Sequence, residues 1–184
     1  MIRRFRCTIS LIRRGVPVPE RPDQIDDNFG LRKCGKSPLV PSRNSYPKEY
    51  IDDCRTRVTA QVAACTALVD SARKAAGTKA AQVDRTILSF EPLFFNNMVL
   101  VLDISICHRQ RGLEGKDGNP LNEVRVLCTA TSEDHGILAR DKTIKMIPTK
   151  SISNYEVGDE IKLDARRFVQ LSDAFFAEIE KKFG

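Results

Sequence analysis

The residues able to do chemistry in this chain are concentrated between Asn96 and Arg125. They are Asn96, Asn97, Asp103, His108, Arg109, Glu114, Lys116, Asp117, Asn122 and Arg125. The 184 residues contain two histidines, His108 and His135. His108 could act as a general acid or base if a carboxylate oriented it, with Arg109, Arg111 or Lys116 holding an anionic substrate. A metal would need a histidine together with Asp103, Glu114 or Asp117. On a helix, however, Asp103 and His108 stand five residues apart and point about 140° away from each other, so they cannot chelate as an i, i+4 pair would. The ExxH spacing of di-iron bundles and the HExxH of zinc proteases are both absent. The six cysteines (7, 34, 54, 65, 107 and 128) form no CxxC and no finger spacing. The expectation is no metal and no cofactor.

Two predicted helices and a loop must position these residues. Apolar side chains crowd Leu93–Ile106 in every direction, which predicts a buried helix from about Pro92 to Arg111, with Pro92 in its first turn. Asn96, Asp103 and Cys107 fall within about 40° of one another on it, and Asn97 and His108 form a neighbouring stripe. A buried aspartate has to be paired or hydrogen-bonded, so Asp103 is expected to be neutralised, with Arg125 of the next helix as the candidate partner. Gly112 stops this helix. Leu113–Gly118 then forms a loop with turn chemistry at Asp117-Gly118, and Asn119-Pro120 signals the start of a third helix. A helix N-terminus suits an anion, although GKDG is not a phosphate-loop pattern. The bland alternative for His108 is a cation complementing a helix C-terminus; Asp117 and Asn119 are sufficiently explained as turn and cap.

The remaining chain supplies the frame. Tyr50, Cys54, Val58, Cys65, Leu68, Val69, Ala72 and Ala76 recur at three and four residues, predicting a first amphipathic helix after Pro47 that ends at Gly77. Thr143–Ile147 and Tyr155–Leu163 alternate in strand fashion and are expected to make a short β-ribbon. Asp164 caps a last helix whose Phe168, Leu171, Phe175, Phe176, Ile179 and Phe183 share one face. The fold class is therefore mainly α: a bundle of about four helices with a short ribbon before the last, over residues 46–184. Residues 1–45, rich in Arg, Pro, Gly and Ser, are expected to form a flexible tail: a functional arm, a targeting peptide or an over-long start.

Charge narrows the function classes. Residues 1–46 hold ten Lys/Arg against four acids, which accounts for the net charge of +6, and residues 47–184 balance at 20 of each. Nucleic acid or anionic lipid is thus an expected partner only for the N-terminal segment. No apolar run approaches the roughly 20 residues of a membrane span, and cysteines without metal or disulfide patterning suit a reduced, cytoplasmic setting. The run FFNNMVLVLD…HR…EGKDGNPLNEVR, followed by VGDEIKL and LSDAFFAEIEKKF, resembles a family of small uncharacterised bacterial helical proteins over roughly residues 46–183. That resemblance implies a domain start and no activity. The leading expectation is a non-catalytic binding or assembly module in which the apolar surplus of helices one and two could bury against a second copy, making a homodimer. The alternative is a small enzyme or ligand-binding protein using the end of helix two and the 113–119 loop for a small molecule.

Overall fold

The computed structural model describes residues 43–184, so the expectations for a basic N-terminal tail fall, up to residue 42, outside the described residues. Among the described residues there are four α-helices: α1 (Lys48–Ala75), α2 (Ala80–Ser105), α3 (Pro120–Ser132) and α4 (Ala165–Phe183). Local chemistry accounts for most of their boundaries. Pro47 sits extended just before α1, and Arg73 and Lys74 close its last turn, where cations complement the helix dipole. Gly77 adopts φ +48°, a conformation that costs glycine nothing, and a 3-10 turn over Gly77–Lys79 reverses the chain into α2. The Asn119 side chain accepts from the amides of Leu121 and Asn122, with Pro120 at the first helical position. Asp164 accepts from the Arg167 amide and starts α4 in the same way.

Helix α2 departs from expectation at both ends. It begins at Ala80, so Pro92 lies inside it. Proline lacks the N–H for one ladder bond and disfavours a helix interior. Here the Ala80–Val83 turn and the packing of α2 along α1 hold the helix through it, with buried Ile87 and Val69 at the hairpin's outer half and Arg73 meeting Asp84 at 3.2 Å. At the other end α2 stops at Ser105, and Ile106 leaves the helix at φ −124°, ψ 40°. His108 and Arg109 are therefore not helical, and Arg111 opens a separate 3-10 turn (Arg111–Glu114), so the angles of α2 relate none of them to Asp103. The early start also makes Gly77–Ser105 a helical stretch long and apolar enough to cross a membrane by length and composition, contrary to the sequence expectation; only 28% of its most apolar window is buried.

The expected ribbon does not form: the described residues contain no strand, only isolated bridges at Arg43 with Arg109 and Ile137 with Glu160. The Asp141 carboxylate captures the amides of Thr143 and Ile144, and the Lys145 amide goes to the Lys116 carbonyl. Those amides are thereby lost to any ladder with 155–163, whose backbone bonds across the loop go to Gly136 and Leu138.

The α1/α2 hairpin is antiparallel, with Tyr50 Oη donating to the Ser105 carbonyl at one end and Arg73 meeting Asp84 at the other. Helices α3 and α4 are shorter and pack on one side of it. Phe95 of α2 meets Phe168 of α4, Arg55 of α1 reaches Glu180 at 2.7 Å, and the Cys128 thiol of α3 donates to the Val99 carbonyl. The phenylalanine face of α4 is fully buried in this core, which is where most of the hydrophobic stabilisation resides.

Candidate functional site

Polar chemistry gathers where α2 ends. Arg109 is buried, and its guanidinium turns back on the helix it follows. Nη1 donates to the carbonyls of Asp103 and Ile106 at 3.2 and 2.9 Å, the first an acceptor of the kind a helix C-terminus leaves unpaired. Nη2 meets Asp103 Oδ1 at 2.6 Å, and Nε meets Glu114 Oε1 at 2.6 Å. The guanidinium also lies 5.6 Å from the Phe175 ring centroid. Arg111 completes the ring from the solvent side, bonding Asp103 Oδ2 at 2.9 Å and Glu114 Oε1 at 3.0 Å. Arg125 approaches the other Glu114 oxygen at 3.9 Å, beyond hydrogen-bond reach, and that buried oxygen has no hydrogen-bond partner. Two carboxylates thus face three guanidinium groups.

Asp103 is neutralised, but by Arg109 and Arg111 rather than by the expected Arg125, which sits against Glu114. Burial pulls the Asp103 carboxyl up, and the hydrogen bonds from Arg111 and Arg109 outweigh it, so its pKa lies below the ordinary carboxylate value. A carboxylate held ionised by two arginines is a poor proton acceptor.

The other predicted residues disperse into structural work. Asn96 donates to the Ile161 carbonyl at 2.7 Å and accepts from the Leu163 amide, tying α2 to the chain entering α4. Asn97 is exposed and donates only to the Leu93 carbonyl of its own helix. His108 is exposed, and its backbone carbonyl accepts from the Arg43 amide. Asn122 bridges the loop, donating to the Gly115 carbonyl and accepting from the Gly118 amide. Asp117 accepts from the Asn119 side chain, and Lys116 is exposed. Asp103 and His108 do not converge: a groove of about 600 Å³ between α2 and α3 is lined by Asp103, Arg111, Arg125, Cys107 and Cys128, without His108 or Lys116. Burial pushes the Cys128 thiol up to about 12, with Asp103 adding to the rise, so it is no thiolate nucleophile.

Sequence reasoning missed three participants. Buried Glu123 accepts from the amides of Ile152 and Ser153 and from the Ser153 hydroxyl, anchoring the long loop before α4. Lys182 donates to the Glu114 carbonyl at 2.6 Å, and Phe175 supplies the ring beside Arg109. Glu123 reads as an ordinary first-turn acid, and nothing local distinguishes it. Comparison with protein families, with curated proteins and with solved structures finds no match.

Proposed function

We propose that this protein is a non-catalytic assembly module of the cytoplasm that pairs with a second copy of itself through the outer face of its α1/α2 hairpin. The observation carrying this reading is an apolar face with no cover. On α1, Tyr50, Arg57, Gln61, Ala64 and Leu68 form a stripe about 60° wide, and on α2 Phe90, Leu93, Asn97, Leu100 and Ile104 form one about 80° wide. Leu68, Leu93 and Ile104 are 64%, 67% and 68% exposed. Tyr50, Gln61, Val101 and Ile104 line a common depression, so the two stripes adjoin.

A second copy fits this face in size and charge. From Tyr50 to Leu68 is about 27 Å of helix, and two helices side by side are about 20 Å wide. The flat footprint is then roughly 500 Å² on each copy, or about 1,000 Å² in total, the threshold for a specific interface. The charged pair within it, Arg57 and Asp53 at 3.6 Å, is self-neutralised, as suits an interface poor in net charge. Two hairpins packed through these faces make a four-helix layer of left-handed bundle type. The arginine-locked cluster serves this reading as a joint that fixes the hairpin's end, since its carboxylates are consumed by cations.

Sedimentation velocity tests the proposal. The 20.7 kDa chain should sediment as a dimer at micromolar concentration, and L68D/L93D should sediment as a monomer with an unchanged circular dichroism spectrum. A monomeric wild type, or a dimer indifferent to the substitutions, would overturn it. Partition of the wild type into neutral phospholipid vesicles, lost in L68D/L93D, would assign the same face to a membrane instead.

A further inference from the structure

The loop between α3 and α4 encloses a second hollow that shares no residue with the arginine cluster. Its volume is about 720 Å³, within the usual range of small-molecule sites. Val126, Leu138, Ile144 and Met146 line it with apolar surface, and Arg140, Lys142 and Lys145 line it as exposed cations. Among the described residues none of these three cations pairs with a carboxylate. The one carboxylate in the lining, Asp141, is occupied: a single oxygen takes the Thr143 amide, the Thr143 hydroxyl and the Ile144 amide. The hollow therefore presents an excess of two positive charges over an apolar floor.

Its walls are preformed. The Leu138 amide donates to the Asp159 carbonyl, and the Gly158 amide donates back to Leu138. On the other side the Lys145 amide is bonded to Lys116, and Gly118, at φ +82°, lies so close that an added Cβ would stand 2.6 Å from the Lys145 carbonyl oxygen. A rigid wall lowers the ordering cost of binding. We propose that this hollow binds an amphipathic dianion: an apolar chain or ring carrying a phosphate monoester, with the apolar part on the Val126–Met146 floor and the phosphate held by Arg140, Lys142 and Lys145. Two surplus charges match the two charges of a phosphate monoester, and guanidinium and ammonium groups are its usual donors.

Titration of the ¹⁵N-labelled full chain with octyl phosphate, followed by amide chemical shifts, tests this. Saturable shifts are expected in residues 138–146, with inorganic phosphate and octanol each binding at least about tenfold more weakly. K142Q/K145Q, two exposed substitutions, should weaken octyl phosphate at least about tenfold, the expected scale for losing charge-assisted hydrogen bonds. Cosedimentation with phosphatidic acid vesicles, lost in K142Q/K145Q, would identify the source as a lipid headgroup; octyl phosphate binding without cosedimentation would identify a soluble ester. Octanol or inorganic phosphate binding as tightly as the ester, shifts confined to α1 and α2, or indifference to K142Q/K145Q would each overturn the proposal.

Discussion

Arg109 Nε and Glu114 Oε1 meet at 2.6 Å with both side chains wholly shielded from solvent. Neither residue is in an α-helix, so the joint between α2 and α3 is organised by an ion pair where a helical hairpin would ordinarily rely on apolar packing. Desolvating such a pair is costly, and the Coulombic gain repays it only when the remaining hydrogen bonds are made. Arg109 meets that condition, since its nitrogens reach two carbonyls and two carboxylates.

Breaking the pair from one side should therefore be severe. R109M leaves buried Glu114 with only the part-exposed Arg111 and the more distant Arg125 as countercharges and should destabilise the fold by about 3 kcal/mol, the lower end of the cost of breaking a buried pair from one side. R109M/E114M, which removes both charges, should lose less than R109M alone. Urea unfolding of wild type, R109M, E114M and R109M/E114M measures the difference; a double variant as unstable as the sum of the two singles would show that the two residues act independently.

Asp103 gives the stability a pH dependence of predictable sign. Burial disfavours its ionised form, but Arg111 and Arg109 together favour it more strongly, so its folded pKa lies below the ordinary 3.8. Above 3.8 the group is ionised in both states and its contribution is fully present. As pH falls from there through the folded pKa, the unfolded chain takes up the proton first and the contribution is lost. Thermal melts between pH 5 and pH 2 should show D103N with a shallower decline than wild type. Parallel curves would mean that the arginine contacts do not favour the ionised form.

Gly118 should resist substitution where Gly112 does not. At Gly118 a Cβ meets both a positive φ of +82° and the Lys145 carbonyl oxygen at 2.6 Å; at Gly112 it meets open space. G118A should cost about 2 kcal/mol or more, combining left-handed strain with displacement of the Lys145 backbone. G112A should stay within roughly 0.5 kcal/mol of wild type. Calorimetric melting temperatures of the two variants check this, and equal values would refute the close approach of the two loops.

The features legible in the sequence are those governed by neighbours a few residues away. Asn119-Pro120 and Asp164 start their helices because a short acceptor side chain reaches amides two or three positions on, whatever else the chain does. The phenylalanine stripe of α4 follows from the helical period in the same way. The need for a partner at Asp103 was equally readable, because an ionised carboxylate in an apolar run is untenable alone. Tertiary structure decided which partner. Arg109 leaves the helical path because Glu114, the Phe175 ring and the carbonyls of Asp103 and Ile106 together offer its guanidinium more than another helical turn could, and those groups assemble only once α3 and α4 have packed. The fate of 143–147 was decided likewise: its alternating pattern suits a strand, yet Asp141 and Lys116 claim its amides first. Periodicity records which face a residue prefers, whereas competition for a hydrogen bond or a countercharge is settled by which groups the folded chain brings within about 3 Å.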